Sequence, residues 1–144
     1  MNNSHQFWMK IVIIFSVLMS TAITKAEMGV PVQLRVKSPT GFYPTESGVN
    51  FKLLVLSPPG GAGGNCILRE ENYSGRDITN GNISLNLGSG SRGSSDPNLT
   101  LQQVFDNSSA KASLFCVDGN NNIVSSEQSY TPTSSSHRVL RIVA

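Results

Sequence analysis

Residues 32–37 (VQLRVK) alternate apolar and polar side chains with a period of two, which predicts a half-buried strand. Pro31 precedes the run and Ser-Pro-Thr-Gly follows it, so both ends are punctuated. After the loop GFYPTESG, residues 49–57 (VNFKLLVLS) put Val49, Phe51, Leu53 and Val55 on one face, while Leu54 and Leu56 make the other face apolar as well. Short length and the Pro58-Pro59 stop exclude a helix there. A Gly-rich connection, 58–65 (PPGGAGGN), leads to 66–72 (CILREEN). Strict alternation in that strand turns Cys66 and Leu68 one way and sends Ile67, Arg69 and Glu71 to a solvated or partly covered face.

Asn80-Gly81 supplies the two positive-φ residues of a type I′ turn, and Ile83, Leu85 and Leu87 then alternate cleanly, so 77–87 predicts a hairpin returning as a strand. Residues 88–97 (GSGSRGSSDP) form a long polar loop, and 88–98, like the Gly-rich loop 58–65, is expected to be mobile. Leu101, Val104 and Phe105 fall at helical spacing within 98–107, enough for one turn covering an end of the core. Residues 111–117 (KASLFCV) form a strand with Ala112, Leu114 and Cys116 on one side; the Asp-Gly-Asn cluster at 118–122 turns the chain back along 123–128. A polar loop at 131–136 precedes the last strand, 138–144 (RVLRIVA). The sum is an all-β, antiparallel β-sandwich of about seven short strands with one short helical turn. No tryptophan lies between the cysteines, so the immunoglobulin hallmark is missing.

The N-terminus adds a compartment to this picture. Residues 1–26 combine a short n-region ending at Lys10, an apolar run over 11–19, and Thr24 and Ala26 at the −3 and −1 positions of a cleavage site. This predicts a secretory signal peptide followed by a single domain over 27–144, exported to the periplasm, the outer surface or the medium. Ser16, Ser20, Thr21 and Thr24 dilute the run below what a spanning helix needs. Cleavage removes Lys10 and Lys25 and no acid, so the mature chain is close to neutral and the formal charge of +2 is largely the leader's. The remaining cations are scattered among acids, which argues against a nucleic-acid partner. In an oxidising compartment, Cys66 and Cys116, the two cysteines of the chain, are expected to form a disulfide. Closing a loop of about fifty residues is worth about 4 kcal/mol on the chain-entropy model.

Catalytic chemistry finds little support. His137 is the single histidine beyond the leader, so no His/Cys metal cluster can be assembled and neither a metal nor another cofactor is expected. Glu70 and Glu71 are neighbours, and on a strand neighbours point to opposite faces, so they cannot flank one glycosidic bond. Asp77, Asp96, Asp106 and Asp118 are expected in loops, whose oxygens can bind calcium, but none has the spacing of a calcium loop. The glycines of 58–65 lack the Gly-Lys-Ser/Thr of a phosphate cradle. No catalytic residue is assigned, and the chain is read as a non-enzyme.

The order CILREEN, TNGNISLNLGSGSR, LTLQQVFDNS, LFC resembles the N-terminal domain of exported tail-fibre-like or cell-wall-anchor-like adhesive proteins of predatory and related Gram-negative bacteria. The residues that carry the resemblance are Cys66, Glu70, Glu71, Gly81, Leu85, Leu87, Gly88, Ser89, Gly90, Phe105, Asn107 and Cys116. The opening VPVQLRVK departs from the Tyr-Gln-Gly stretch of that family, and the family's repeats and distal receptor-binding tip have no counterpart before Ala144. The resemblance implies an exported, non-enzymatic binding or structural module of the cell envelope whose partner is a protein or glycan at the cell surface. Loops 58–65 and 88–98 are where contact is expected, since connecting loops carry recognition in sandwiches. The alternatives are a pilin-like structural subunit completed by strand exchange, and a small secreted enzyme or inhibitor.

Overall fold

A computed structural model describes residues 29–38, 40–59 and 64–144. The predicted leader and the centre of the Gly-rich connection at 60–63 lie outside the described residues. Eight strands and one short helix follow in the order β1 (Val30–Arg35), β2 (Glu46–Leu56), β3 (Asn65–Ile78), β4 (Asn82–Leu87), β5 (Ser91–Arg92), α1 (Leu101–Phe105), β6 (Lys111–Val117), β7 (Ile123–Tyr130) and β8 (Val139–Val143). Every predicted strand is present, and β5 is an addition inside the 88–98 loop.

All pairings are antiparallel. β1 and β4 form a two-stranded sheet; the other six strands form a second sheet in the order β7-β6-β3-β2-β8, with β5 beside β3. The two sheets face each other across one core of Val32, Phe51, Leu53, Val55, Leu68, Tyr73, Ile83, Leu85, Leu87, Leu114 and Cys116, closed at one end by Leu101 and Val104 of α1. A smaller cluster, Leu54, Leu56, Ile67 and Val117, lies on the outer face of the large sheet. β2 is apolar on both faces because it serves both clusters, as a central strand must.

Turn chemistry sets the connections. Asn80 and Gly81 have φ of 49° and 76°, and the Thr79 and Asn82 backbones exchange hydrogen bonds of 3.1 and 2.9 Å, so the type I′ hairpin between β3 and β4 forms as its sequence requires. Thr100 starts α1 with a reciprocal capping box: its hydroxyl accepts from Gln103 N, and Gln103 Oε1 accepts from Thr100 N at 2.8 Å. At the other end, Arg138 Nε donates to Val104 O at 2.6 Å and Nη2 to Asp106 O at 3.2 Å, so an arginine leading into β8 occupies the last carbonyls of the helix. Cys66 and Cys116 stand opposite each other in the β3–β6 ladder and are joined by a disulfide.

Two departures from simple alternation matter. The β2–β3 register shifts between Val55 and Leu56, which pair with Arg69 and Ile67, so Leu68 is the extra residue of a bulge. Beyond that bulge the odd-numbered residues of β3 point inward, opposite Phe51, Leu53 and Val55. Arg69 and Glu71, predicted with Ile67 for a solvated or partly covered face, are therefore buried between the sheets with Tyr73, and Ile67 is buried in the outer cluster. In β6 a register shift between Lys111 and Leu114, with Ser113 at φ 56°, does the same: Lys111 is buried and Ala112, predicted for the core side, is exposed.

Candidate functional site

Loop 88–98, expected to be mobile, is fastened along β3. It passes around the strand's edge from one sheet face to the other, and the adjacent glutamates hold it on both sides. On the inner face the Glu71 carboxylate, fully buried, accepts the Gly88 N–H at 2.9 Å and the Gly90 N–H at 3.2 Å. It also accepts from Arg69 Nε and, at 2.5 Å, from the Tyr73 hydroxyl. Ser91 and Arg92 then pair with Asn72 and Glu71 along the edge as β5. On the outer face Gly93 N–H donates to Glu70 O at 3.0 Å, and Asp96 Oδ2 accepts the Glu70 N–H at 2.7 Å. Asp96 Oδ1 meets Arg92 Nη1 at 2.6 Å, while the Glu70 carboxylate takes Lys52 Nζ at 2.9 Å.

The glycine spacing of GSGSRG follows from this path. A Cβ on Gly90 would lie 2.8 Å from Glu71 Cβ and 2.9 Å from Tyr73 Cζ; one on Gly93 would lie 2.2 Å from Glu70 Oε1. Close backbone approach to β3 needs the bare backbone. Burial, and after it the hydrogen bond to Glu71, push the Tyr73 phenol well above the ordinary tyrosine range. The cluster is thus saturated with internal partners, a clasp more than a reactive centre.

The clasp builds one wall of a cleft of about 240 Å³ on the outer face. Leu54, Ile67 and Val117 form its apolar floor, and Lys52, Glu70, Ser94, Ser95 and Asn121 its polar rim, with Ile123 at the side. Arg141 reinforces the Asn121 side, donating to Asp118 O at 2.7 Å and Asn121 Oδ1 at 2.9 Å. Asp118 closes that turn by accepting from Asn120 N, Asn122 N and Asn122 Nδ2, and these hydrogen bonds, those from Asn122 foremost, hold its carboxyl below the usual carboxylate range. The end of the Gly-rich loop lies close against the start of the β6–β7 turn: a Cβ on Gly64 would lie 2.6 Å from Val117 O and 3.1 Å from a Val124 methyl carbon.

Of the two loops named from sequence, 88–98 contributes Ser94 and Ser95 to this cleft, while no described residue of 58–65 lines it. Lys52, Asn121 and Ile123 were not singled out, because they come from three separate elements and only the β2–β3 and β6–β7 pairings bring them together. Elsewhere the candidate chemistry disperses. His137 is exposed on the loop before β8, Asp77 Oδ1 accepts from Gly48 N at 3.3 Å, and Asp106 accepts from Ser108 N and the Ser109 hydroxyl. Among the described residues no three His, Cys, Asp or Glu side chains gather to hold a metal ion, and both cysteines are consumed by the disulfide. Compared with known proteins, the chain matches no family model, no curated protein and no solved structure.

Proposed function

We propose that this chain is an exported, non-enzymatic binding module of the cell envelope, and that the outer-face cleft is where it meets a protein or glycan at the cell surface. The observation that carries the reading is a cleft with an apolar floor and a polar rim to which loop 88–98 contributes Ser94 and Ser95, the loop being fastened beside it by the Glu70–Asp96 contact. A rim fixed before binding loses little conformational entropy on contact, which is what a recognition surface requires. The resemblance to the N-terminal domains of adhesive fibre proteins supports export and binding. Its residues Glu70, Glu71, Gly88 and Gly90 are those of the clasp, so what it describes is the scaffold beneath the cleft.

The test uses purified protein on an array of cell-surface glycans and on immobilised envelope proteins, comparing the native chain with Ser94→Trp. Ser94 is exposed at the rim, so an indole there fills the cleft without entering the core. Binding is expected to fall at least about tenfold, equivalent to about 1.4 kcal/mol, with the melting temperature unchanged. Equal binding by both proteins would place the partner on another surface.

A further inference from the structure

The two ends of the large sheet are unlike. At one end, β7 breaks register with β6 three times and carries Glu127 at φ 55°, features that discourage further pairing on an edge. At the other end, β8 runs in unbroken register with β2 from Lys52↔Val143 to Leu56↔Val139. Its second edge has no partner among the described strands, and neither has the second edge of β1.

The inner face beside that edge is incompletely covered. Leu140 and Ile142 share it by alternation. Ile142 packs against the core, but Leu140 is 48% exposed because the two-stranded sheet does not extend over it. Between β1 and β8 lies a cavity of about 310 Å³ lined by Leu34, Val36, Phe51, Ile83 and Ile142, with Arg35 also on its wall. Arg35 and Lys37 stack on the Tyr43 ring, 4.3 and 5.7 Å from its centroid, and neither forms an ion pair among the described residues.

We infer that the gap between β8 and β1 accepts an extended segment of a partner protein, apolar at alternate positions and carrying a carboxylate that faces Arg35, the cation on the cavity wall. The segment adds to the β8 edge, where five consecutive residues keep ladder geometry, while its apolar side chains enter the cavity and cover Leu140. Pro31 leaves β1 with one donor fewer, so β8 is the hydrogen-bonding edge. An acyl chain would fill the same apolar volume. It would leave the strand's backbone donors and acceptors unanswered, and the flanking edges therefore favour a peptide.

The test uses a synthetic ten-residue peptide of alternating valine and threonine ending in two glutamates, with binding followed by fluorescence anisotropy. Saturable binding is expected. Leu140→Glu should weaken it at least about tenfold, and Arg35→Glu should weaken it similarly while gaining affinity for the same peptide ending in two lysines. Methylating alternate peptide nitrogens, which removes ladder donors, should abolish binding. Ser94→Trp should leave it unchanged, which separates this surface from the outer-face cleft. No binding at millimolar peptide, undiminished binding of the methylated peptide, or binding of dodecanoate in its place would overturn the inference. So would a dimer of the chain alone that Leu140→Glu dissolves, since β8 would then be occupied by a second copy.

Discussion

The Glu71 carboxylate lies between two sheets and answers to four donors, Arg69, Tyr73, Gly88 and Gly90. A buried acid in that position stabilises only as a member of its set, because removing one partner strands the others without water. Glu71→Ala leaves the buried Arg69 guanidinium without its carboxylate and is expected to cost about 3–5 kcal/mol, read from urea unfolding; a loss below about 1 kcal/mol would mean that Arg69 is satisfied without Glu71. Gly90→Ala tests the same contact from the loop side. Its Cβ would fall within 2.9 Å of two β3 side chains, whereas a Cβ on Gly119 meets nothing within 4 Å. Overpacking at Gly90 should cost about 1–3 kcal/mol, while Gly119→Ala should change stability by no more than about 0.5–1 kcal/mol. Equal effects at the two positions would contradict the close approach. None of this was legible in CILREEN or GSGSRG alone, since a glycine that permits contact and one that permits motion are written identically.

At the scale of elements, the signals that were legible are local ones. Asn80-Gly81 specified its hairpin, Leu101, Val104 and Phe105 specified a helical turn, and period-two runs located the strands, because each depends on residues within one turn or one strand. The faces of β3 and β6 escaped because a bulge is a property of a pair: Leu68 is extra only relative to β2, and the β6 irregularity exists only against β7. The same argument explains the cleft, whose Lys52, Asn121 and Ile123 are unremarkable until the strands pair. The disulfide is the long-range contact that sequence did yield, and here it acts on elements. β3 and β6 pair directly only at Asn65↔Val117 and Cys66↔Cys116, so the bridge secures a short ladder that joins β6 and β7 to the rest of the sheet. Cys116→Ala is expected to lower stability by about 2–5 kcal/mol and to increase amide exchange most in β6 and β7. An unchanged melting temperature would show that packing of Leu114 and Val117 alone holds that half of the sheet.

For the whole molecule, stability against pH follows from which groups the fold has shifted and in which direction. Hydrogen bonds from Ser108 and Ser109 hold the Asp106 carboxyl below the carboxylate range, and those from Asn122 and Asn120 do the same for Asp118. An acid depressed in the folded state contributes stability that is present above its unfolded pKa, about 4, and is lost as pH falls towards the folded value. Both aspartates are turn residues on the surface, so this acid limb is shallow and salt-dependent. Tyr73 acts at the opposite end with the opposite sign. Its phenol is raised, chiefly by burial, so its contribution is complete below the unfolded pKa of about 10 and declines as pH rises past it, because the unfolded chain then sheds a proton that the folded chain keeps. The clasp ties this titration to the loop: ionising Tyr73 would place a second anion 2.5 Å from Glu71, beneath Gly90. Stability is therefore expected to be flat between about pH 5 and 9, falling gently below and more steeply above about pH 10, as followed by denaturant midpoints across the range. Tyr73→Phe should lower the plateau, having lost a buried hydrogen bond, and should flatten the alkaline limb. An alkaline limb of unchanged slope in that variant would mean that another group, not the tyrosine under the loop, opens the sandwich at high pH.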